Sequence, residues 1–244
     1  MKPDVVIVPC EDYSEEAART ALERVLAPLG GLDWVIPGMK IAVKVNLVTS
    51  AKPEKAATTH PALLCSLVRM LAERGADVVA GDSPGGLYNA AHVGRVYAAT
   101  GMKAVEQAGG RLNQNFEERT AKFPEGKVCR EFRYTAYLDG ADAIIDFCKL
   151  KTHGMMAMTC GAKNMFGAIP GTVKPEYHFR YPDPRDFARM IVDLNEYFKP
   201  RLTIVDAVEC MEGNGPGSGT PRHMGALLAG ESPHMVDLVC AGLI

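Results

Sequence analysis

The residue types best suited to chemistry are concentrated between residues 149 and 178 of the 244-residue chain. Lys149, Lys151 and His153 follow the most apolar run of the sequence, and Lys163 comes soon after them among glycines. Ammonium groups supply positive charge and glycines let backbone amides come close, so this segment suits an anionic substrate or cofactor. A lysine near other cations also has a lowered pKa, which favours nucleophilic or proton-carrying roles. We predict catalytic roles for His153, as acid or base, and for Lys163, as anchor or electrostatic clamp.

Two further side chains of this segment are candidates for chemistry. His178 follows the lysine cluster and is a candidate metal ligand, because neutral imidazole is a common one. Cys160 would suit a thiolate beside a cationic pocket, although a buried and inert thiol is the favoured interpretation. For the segment as a whole, the alternative is a solvated charged loop with methionines packed beneath it.

Polar residues also follow the other predicted strands. In open parallel sheets, ligands collect at the carboxyl ends of the strands, where loops converge and helix N-termini point their amides. The candidate cofactor-binding residues are therefore Lys44, Asn46, Asp82, Ser83, Lys151, Thr152, Asn164 and Asp206. Lys44 and Asn46 would share one face of a strand, and an exposed edge strand is the alternative. Residues 81–86 would cradle phosphate or simply form a tight turn.

The elements that must position these residues alternate between two periodicities. Short β-branched runs predict strands near residues 5–8, 39–48, 76–80, 141–147, 202–208 and 226–229, and helical patterns lie between most of them. This alternation predicts an α/β fold: a mainly parallel, Rossmann-like sheet with helices on both faces. We expect one domain over residues 1–244, with the polar section 111–134 as an insertion or an edge hairpin. The apolar run from Pro233 reaches Ile244 without a capping signal, so we expect the natural protein to continue further.

The composition and net charge of the chain limit the classes of partner that we expect. With 27 basic and 29 acidic residues, the net charge of -2 gives no electrostatic reason to expect a nucleic-acid partner. The N-terminal apolar run is too short for a signal peptide or a membrane span, so a cytoplasmic location without a membrane partner is expected. Seven scattered cysteines predict neither a disulfide framework nor an internal metal cluster. A small anionic ligand is the expected partner, and the sequence sets no oligomeric state.

Several motifs resemble those of the domain-of-unknown-function family 362. The motifs are Lys44 and Asn46 at a strand end, the turn Gly81-Asp82-Ser83-Pro84, the Lys-x-Lys-Thr-His segment ending at His153, Gly-x-Lys-Asn ending at Asn164, Gly-x-x-Pro-Gly ending at Gly171, and Asp206 near a late strand end. Many members of that family carry a ferredoxin-like iron–sulfur domain near the C-terminus. Residues 1–244 lack the cysteine pattern that binds such clusters. The resemblance therefore implies 4Fe-4S clusters in a region beyond residue 244.

A more distant resemblance is to the N-terminal region of lactate racemases. His153, Gly161, Lys163 and Pro170-Gly171 match the family's pattern around the lysine that binds a nickel-pincer nucleotide covalently. The resemblance implies that nucleotide at Lys163 and nickel ligation by His178. The racemases have Gly-Thr-His-Arg where this chain has Gly81-Asp82-Ser83-Pro84, so one of their two proton-transferring histidines has no counterpart here.

Three functions remain in view from the sequence. The leading one is an enzyme domain that binds an anionic or nucleotide-like, metal-bearing ligand at the strand ends, such as an isomerase or racemase relative. The second is a redox or electron-transfer protein whose iron–sulfur domain lies beyond residue 244. The third is a ligand-binding module without chemistry of its own.

Overall fold

The computed structural model describes residues 2–244, which form a large mixed sheet and a small hairpin sheet. The strands are β1 (Val5–Pro9), β2 (Lys40–Val45), β3 (Asp77–Gly81), β4 (Arg111–Leu112), β5 (Glu118–Lys122), β6 (Glu131–Thr135), β7 (Ala143–His153), β8 (Ala157–Thr159), β9 (Leu202–Glu212) and β10 (Thr220–Gly230). The large sheet has the order β1-β10-β9-β7-β2-β3-β4, and the short β8 pairs with β7. Strands β9, β7, β2, β3 and β4 run parallel, which brings their carboxyl ends to one edge.

Helices cover both faces of this sheet. They are α1 (Glu15–Leu26), α2 (Pro61–Ala72), α3 (Ala90–Ala99), α4 (Ala104–Gln107), α5 (Gly161–Asn164), α6 (Lys174–Arg180), α7 (Pro184–Phe198) and α8 (Pro233–Ala241). On one face, Val43 and Val45 of β2 pack in a core with leucines of α1 and α2. On the other, Cys148 and Leu150 of β7 pack with Val236 of α8. The alternation of apolar side chains along each strand therefore fills two cores.

Local signals explain where the longer helices begin. The Ser14 hydroxyl accepts a hydrogen bond from the amide of Ala17 at the start of α1, and Asp183 does the same for Arg185 at the start of α7. Helix α2 begins with Pro61, whose missing N–H costs nothing in a first turn, and the ring of His60 accepts the amide hydrogen of Ala62. These caps set the helix ends that border the strand loops.

The predicted α/β class with a mainly parallel sheet is confirmed, and two details differ from expectation. Strand β10 is antiparallel to β9, and β1 is antiparallel to β10, so the first strand does not open a parallel βαβ unit. Strand β7 extends to His153 rather than ending near residue 147. Lys149 and Lys151 are thus part of the strand itself, which is possible because both amines find buried partners.

The polar section 111–134 contributes to both sheets. Strand β4 forms one edge of the large sheet, and β5 pairs with β6 as a separate antiparallel hairpin. The hairpin packs its buried aromatic side chains against α7, where Phe132 and Tyr197 meet edge to face with ring centroids 4.9 Å apart. Within residues 2–244, no helix has the length and apolar character needed to cross a bilayer.

Candidate functional site

A cleft of about 220 Å³ lies at the carboxyl ends of β2, β3 and β7. Each strand sends polar side chains into it, because parallel strands end at the same edge of the sheet. The loop and short helix after β8 supply the opposite wall. The polar and aromatic lining consists of Asn46, Asp82, Ser83, Lys151, His153, Thr159, Lys163, Asn164, Phe166, Lys174 and His178.

A buried ion pair lies beneath the cleft. The Lys44 amine is 2.7 Å from Oδ1 of Asp82, and both side chains are almost completely inaccessible. The same amine donates to the backbone carbonyl of Val45. Asp82 also accepts the amide hydrogens of Leu47 at 2.6 Å and Ser83 at 2.8 Å. The carboxylate is therefore already neutralised by Lys44 and has little capacity left for a cationic ligand.

The backbone segment that covers this ion pair can lie so close to it because residue 167 is a glycine. A methyl group at Gly167 would overlap the Asp82 carboxylate and the Lys44 amine. The carbonyl of Gly167 accepts the Ser83 amide hydrogen at 3.2 Å, and the Ser83 hydroxyl accepts the amide hydrogen of Gly171 at 2.7 Å. The absence of a side chain lets the segment after α5 lie directly on the ends of β2 and β3.

Asn164 links the interior of the sheet to the cleft. Its Nδ2 donates to Oδ1 of Asp146 at 2.7 Å, and its Oδ1 accepts from Nδ2 of Asn46 at 2.8 Å. Oδ1 of Asn46 in turn accepts from the Lys151 amine at 2.6 Å. Burial raises the pKa of Asp146 well above its ordinary value, and the hydrogen bond from Asn164 opposes that shift. The two amides hold the Lys151 amine at a fixed place in the wall.

Three amines border the cleft: those of Lys151, Lys163 and Lys174. Burial, with the charges of Lys163 and Lys149, lowers the pKa of Lys151 to about 7, although the charge of Asp82 opposes the shift. Burial likewise lowers the pKa of Lys174 to about 7 and that of Lys163 to about 8, with the charge of Lys44 adding to both shifts. Desolvation and mutual repulsion both favour the neutral amines.

The three amines differ in their partners. Lys151 donates to the backbone carbonyl of Ala57 as well as to Asn46, and Lys174 donates to the carbonyls of Ser83 and Ile169. In the described residues, 2–244, the Lys163 amine has neither a hydrogen bond nor an ion pair. It lies 4.8 Å from the ring centroid of Phe166 and 5.7 Å from that of Phe187. Lys163 is thus the amine least constrained by the protein.

The two histidines of the cleft have different surroundings. Nδ1 of His153 accepts the amide hydrogens of Met155 and Met156, both at 3.2 Å, so the neutral ring carries its proton on Nε2. Burial and the charge of Lys163 lower the pKa of His153 to about 4. A ring held in this way donates a hydrogen bond more readily than it exchanges a proton.

His178 is exposed and stacks on Phe187, with the ring centroids 4.7 Å apart. Partial desolvation and the charges of Lys163 and Lys174 lower its pKa. Neither ring nitrogen has a hydrogen-bond partner among residues 2–244, so His178 can exchange protons with solvent. Its proposed role as a metal ligand stays a prediction, since no three His, Cys, Asp or Glu side chains of the described residues converge on a metal position.

Most of the residues singled out from the sequence meet at this cleft. Lys44 lies under it, while Thr152 and Asp206 lie away from it. Thr152 is on the opposite side of β7 from its neighbours Lys151 and His153, and its hydroxyl donates to the carbonyl of Gly213 at 3.0 Å. Asp206 pairs with Lys149 at 2.9 Å and accepts from the Tyr13 hydroxyl.

Sequence reasoning did not single out Lys174, Phe166 or Thr159 as lining residues. The available signal for Lys174 was its place just after the Pro170-Gly171 turn, where a helix begins. The favoured interpretation of Cys160 agrees with the structure: the thiol is buried, 3.8 Å from that of Cys148, and burial raises its pKa well above the ordinary value. The expected iron–sulfur clusters concern residues beyond 244 and stay a prediction.

Comparison with known proteins supports both resemblances noted in the sequence. Residues 41–242 match the family model described as a domain of unknown function, DUF362. The thylakoid-associated protein sll1697 of Synechocystis sp. is 29% identical over 252 residues, which cover the whole chain and 75% of that protein. The lactate racemase apoprotein from Thermoanaerobacterium thermosaccharolyticum superposes with a TM-score of 0.55 at 11% identity. That likeness covers 97% of this chain and 56% of the racemase chain, and at this identity it shows a shared fold.

Proposed function

We propose that this chain, which belongs to the DUF362 family, is an enzyme domain that binds a small anionic ligand in the cleft and acts on it with Lys163 and the two histidines. The observation that carries the proposal is a charge imbalance. Three amines line the cleft, and Asp82, the one carboxylate among the described lining residues, is already paired with Lys44. An anion in the cleft would relieve the repulsion between the amines.

The lowered pKa values support the same proposal. Amines with a pKa of about 7 or 8 are partly neutral near pH 7, and an adjacent anion favours their charged forms. Binding would then draw protons onto Lys151, Lys163 and Lys174 and give charge-assisted hydrogen bonds to the ligand. Phe166 provides an apolar surface for the uncharged part of that ligand.

Each reactive side chain has a separate part in this proposal. His153 would donate a hydrogen bond from Nε2 to an oxygen on which negative charge develops, since its Nδ1 is already occupied. His178 would carry protons between the cleft and solvent. Lys163 would contact the reacting part of the ligand, because its amine is not committed to the protein.

The nickel-pincer nucleotide implied by the racemase resemblance is a second candidate ligand. The uncommitted amine of Lys163 fits covalent attachment, the open ring nitrogens of His178 fit a metal ligand, and the amines of Lys151 and Lys174 fit a phosphate group. When bound, such a group would supply a metal centre. The turn after β3 places Asp82 and Ser83 where the racemases have a histidine, so two-base proton transfer has no support here.

Calorimetric titration with inorganic phosphate tests anion binding. We compare the wild type with Lys163→Met, which removes the charge at similar volume, and with Lys122→Met as a matched control on the exposed side of β5. Loss of one charge-assisted hydrogen bond, worth about 1.5–3 kcal/mol, should weaken phosphate binding roughly tenfold to a hundredfold in Lys163→Met alone. Equal dissociation constants for the three proteins, or no binding to the wild type, would contradict the proposal.

A further inference from the structure

We infer that Lys163 forms an imine with a carbonyl compound that also carries a carboxylate or phosphate group. This inference rests on the proposed function, because the anionic group is what the other two amines would hold. It goes further by naming the bond that forms and the class of substrate.

The first support is that the three amines differ in the hydrogen bonds that they donate to the protein. Lys151 and Lys174 already donate to backbone carbonyls, so their nitrogen atoms are held in the cleft wall. Lys163 has no such donor contact in residues 2–244, and its amine lies over the faces of Phe166 and Phe187. A nucleophilic amine has to move onto its target, and Lys163 is the one of the three cleft amines that no hydrogen bond to the described residues holds in place.

The second support is the electrostatic setting of Lys163. Burial and the charge of Lys44 lower its pKa to about 8, so a useful fraction of the amine is neutral under ordinary conditions. The cleft holds no unpaired carboxylate among its described lining residues that would keep the amine protonated. Desolvation beside another cation is a known way to activate a lysine for attack on a carbonyl group.

The third support is the arrangement of groups around a bound carbonyl compound. The amines of Lys151 and Lys174 would bind its carboxylate or phosphate, and Nε2 of His153 would donate to its carbonyl oxygen. His178 lines the same cleft, and its exposed ring would exchange protons with solvent. Together these groups would hold the anionic end and the carbonyl end of one small molecule.

The step balances without an oxidant or a reductant. The neutral Lys163 nitrogen bonds to the carbonyl carbon, and the π electron pair of the carbonyl moves to its oxygen, which takes up a proton. The nitrogen loses its two hydrogens as protons, the hydroxyl leaves with one proton as water, and a carbon–nitrogen double bond remains. His178 would relay these protons. With one further proton taken up from solvent on its nitrogen, the imine withdraws electrons from the neighbouring carbon, so the chemistry that follows would occur at that carbon.

Reductive trapping tests the inference on the complete chain. The protein is incubated with pyruvate, or separately with pyridoxal 5′-phosphate, in the presence of sodium cyanoborohydride, and adducts are located by intact mass and peptide mapping. We expect one dominant adduct at Lys163 with at least one probe, slowed several-fold by inorganic phosphate. The pyruvate arm reports a carboxylated substrate and the pyridoxal phosphate arm a phosphorylated one. Lys163→Arg keeps the charge without a nucleophilic amine and should lose that adduct, whereas Lys122→Arg should retain it.

The outcomes separate this inference from the proposed function. Phosphate binding without a phosphate-sensitive adduct at Lys163 would overturn the inference and leave anion binding intact. Absence of phosphate binding would remove both. Labelling spread over many lysines, and unchanged in Lys163→Arg, would also contradict the inference. So would a mass already attached to Lys163 in protein purified from its own source, because a modified amine cannot form an imine.

Discussion

The lysines in and around the cleft end of the sheet fall into two groups that differ in their partners. Lys44 and Lys149 lie within the sheet and are paired with Asp82 and Asp206 at 2.7 Å and 2.9 Å. The cleft amines have no carboxylate of their own. The first group shows how the fold accommodates a buried charge, by supplying its counter-charge internally. The second leaves that counter-charge to be supplied by something else, and this distinguishes a structural lysine from a candidate ligand-binding one.

The largest expected effect is the loss of stability when an internal pair is broken. Lys149→Met would leave Asp206 buried beside Tyr13 and the amide of His60 without a cation. Removing one partner of a buried ion pair costs about 3–5 kcal/mol, so the free energy of unfolding should fall by that amount in denaturant titrations.

The double variant Lys149→Met with Asp206→Asn serves as the control. It removes both charges at once, so it should be less destabilised than the sum of the two single variants. Simple additivity of the three measurements would show that Lys149 and Asp206 do not act as a pair.

An intermediate effect is expected at the link between the two groups. Asn164→Ala would remove the donor to Asp146 and the acceptor for Asn46. An unsatisfied buried polar group costs about 1–3 kcal/mol, so stability should fall by less than in Lys149→Met. The substitution should also weaken phosphate binding, since Asn46 would no longer be held where it accepts from Lys151. Unchanged phosphate affinity in a folded Asn164→Ala protein would show that the amide network does not position the cleft.

The smallest effect is expected from Lys163→Met at neutral pH. Removing an unpaired, half-buried amine takes away a desolvation cost, so stability should be unchanged or slightly higher. The informative signal is its pH dependence. The folded pKa of Lys163, about 8, lies below the ordinary value of 10.5. Between these values the unfolded chain binds more protons than the folded one, so this group makes stability rise with pH.

The measurement is a series of denaturant titrations of the two proteins between about pH 7 and about pH 8.5; both have the same seven cysteines, so thiol titration affects the two curves alike. The wild type should gain stability across this range more steeply than Lys163→Met. Sulfate, whose charge is constant here, should flatten the wild-type slope by favouring protonated amines. Identical slopes for the two proteins would mean that Lys163 has no lowered pKa.

Much of the fold and of the cleft could be predicted from the sequence. Short apolar runs separated by helical patterns are enough to indicate a parallel α/β sheet, and the loops at its strand ends then contain Asn46, Asp82 and Ser83. The direction of β1 and β10 could not be read in this way, because parallel and antiparallel strands share the same side-chain period. Their antiparallel pairing depends on contacts between the two ends of the chain.

The ion-pair partners of the lysines also could not be predicted from the sequence. Lys44, Lys149 and Lys151 look alike as basic residues in apolar runs, and only the fold shows that Asp82 and Asp206 reach two of them. The alternation along β7 predicts that Thr152 faces away from Lys151 and His153, yet the strand was expected to end earlier. Lys174 was not predicted as a site residue because it lies on a helix after the motif-rich segment. Its contact with Ser83 arises only from the folding of the chain.

The close contact at Gly167 has a consequence for any redesign of this domain. A methyl group at Gly167 would overlap both Lys44 and Asp82, although the three residues are far apart in the chain. Substitutions at these three positions therefore have to be considered together. A larger residue at Gly167 is expected to be tolerated only with compensating changes at Lys44 and Asp82. Altered ligand preference is therefore best sought by varying Phe166, Lys174 and His178, which border the cleft without supporting the pair beneath it.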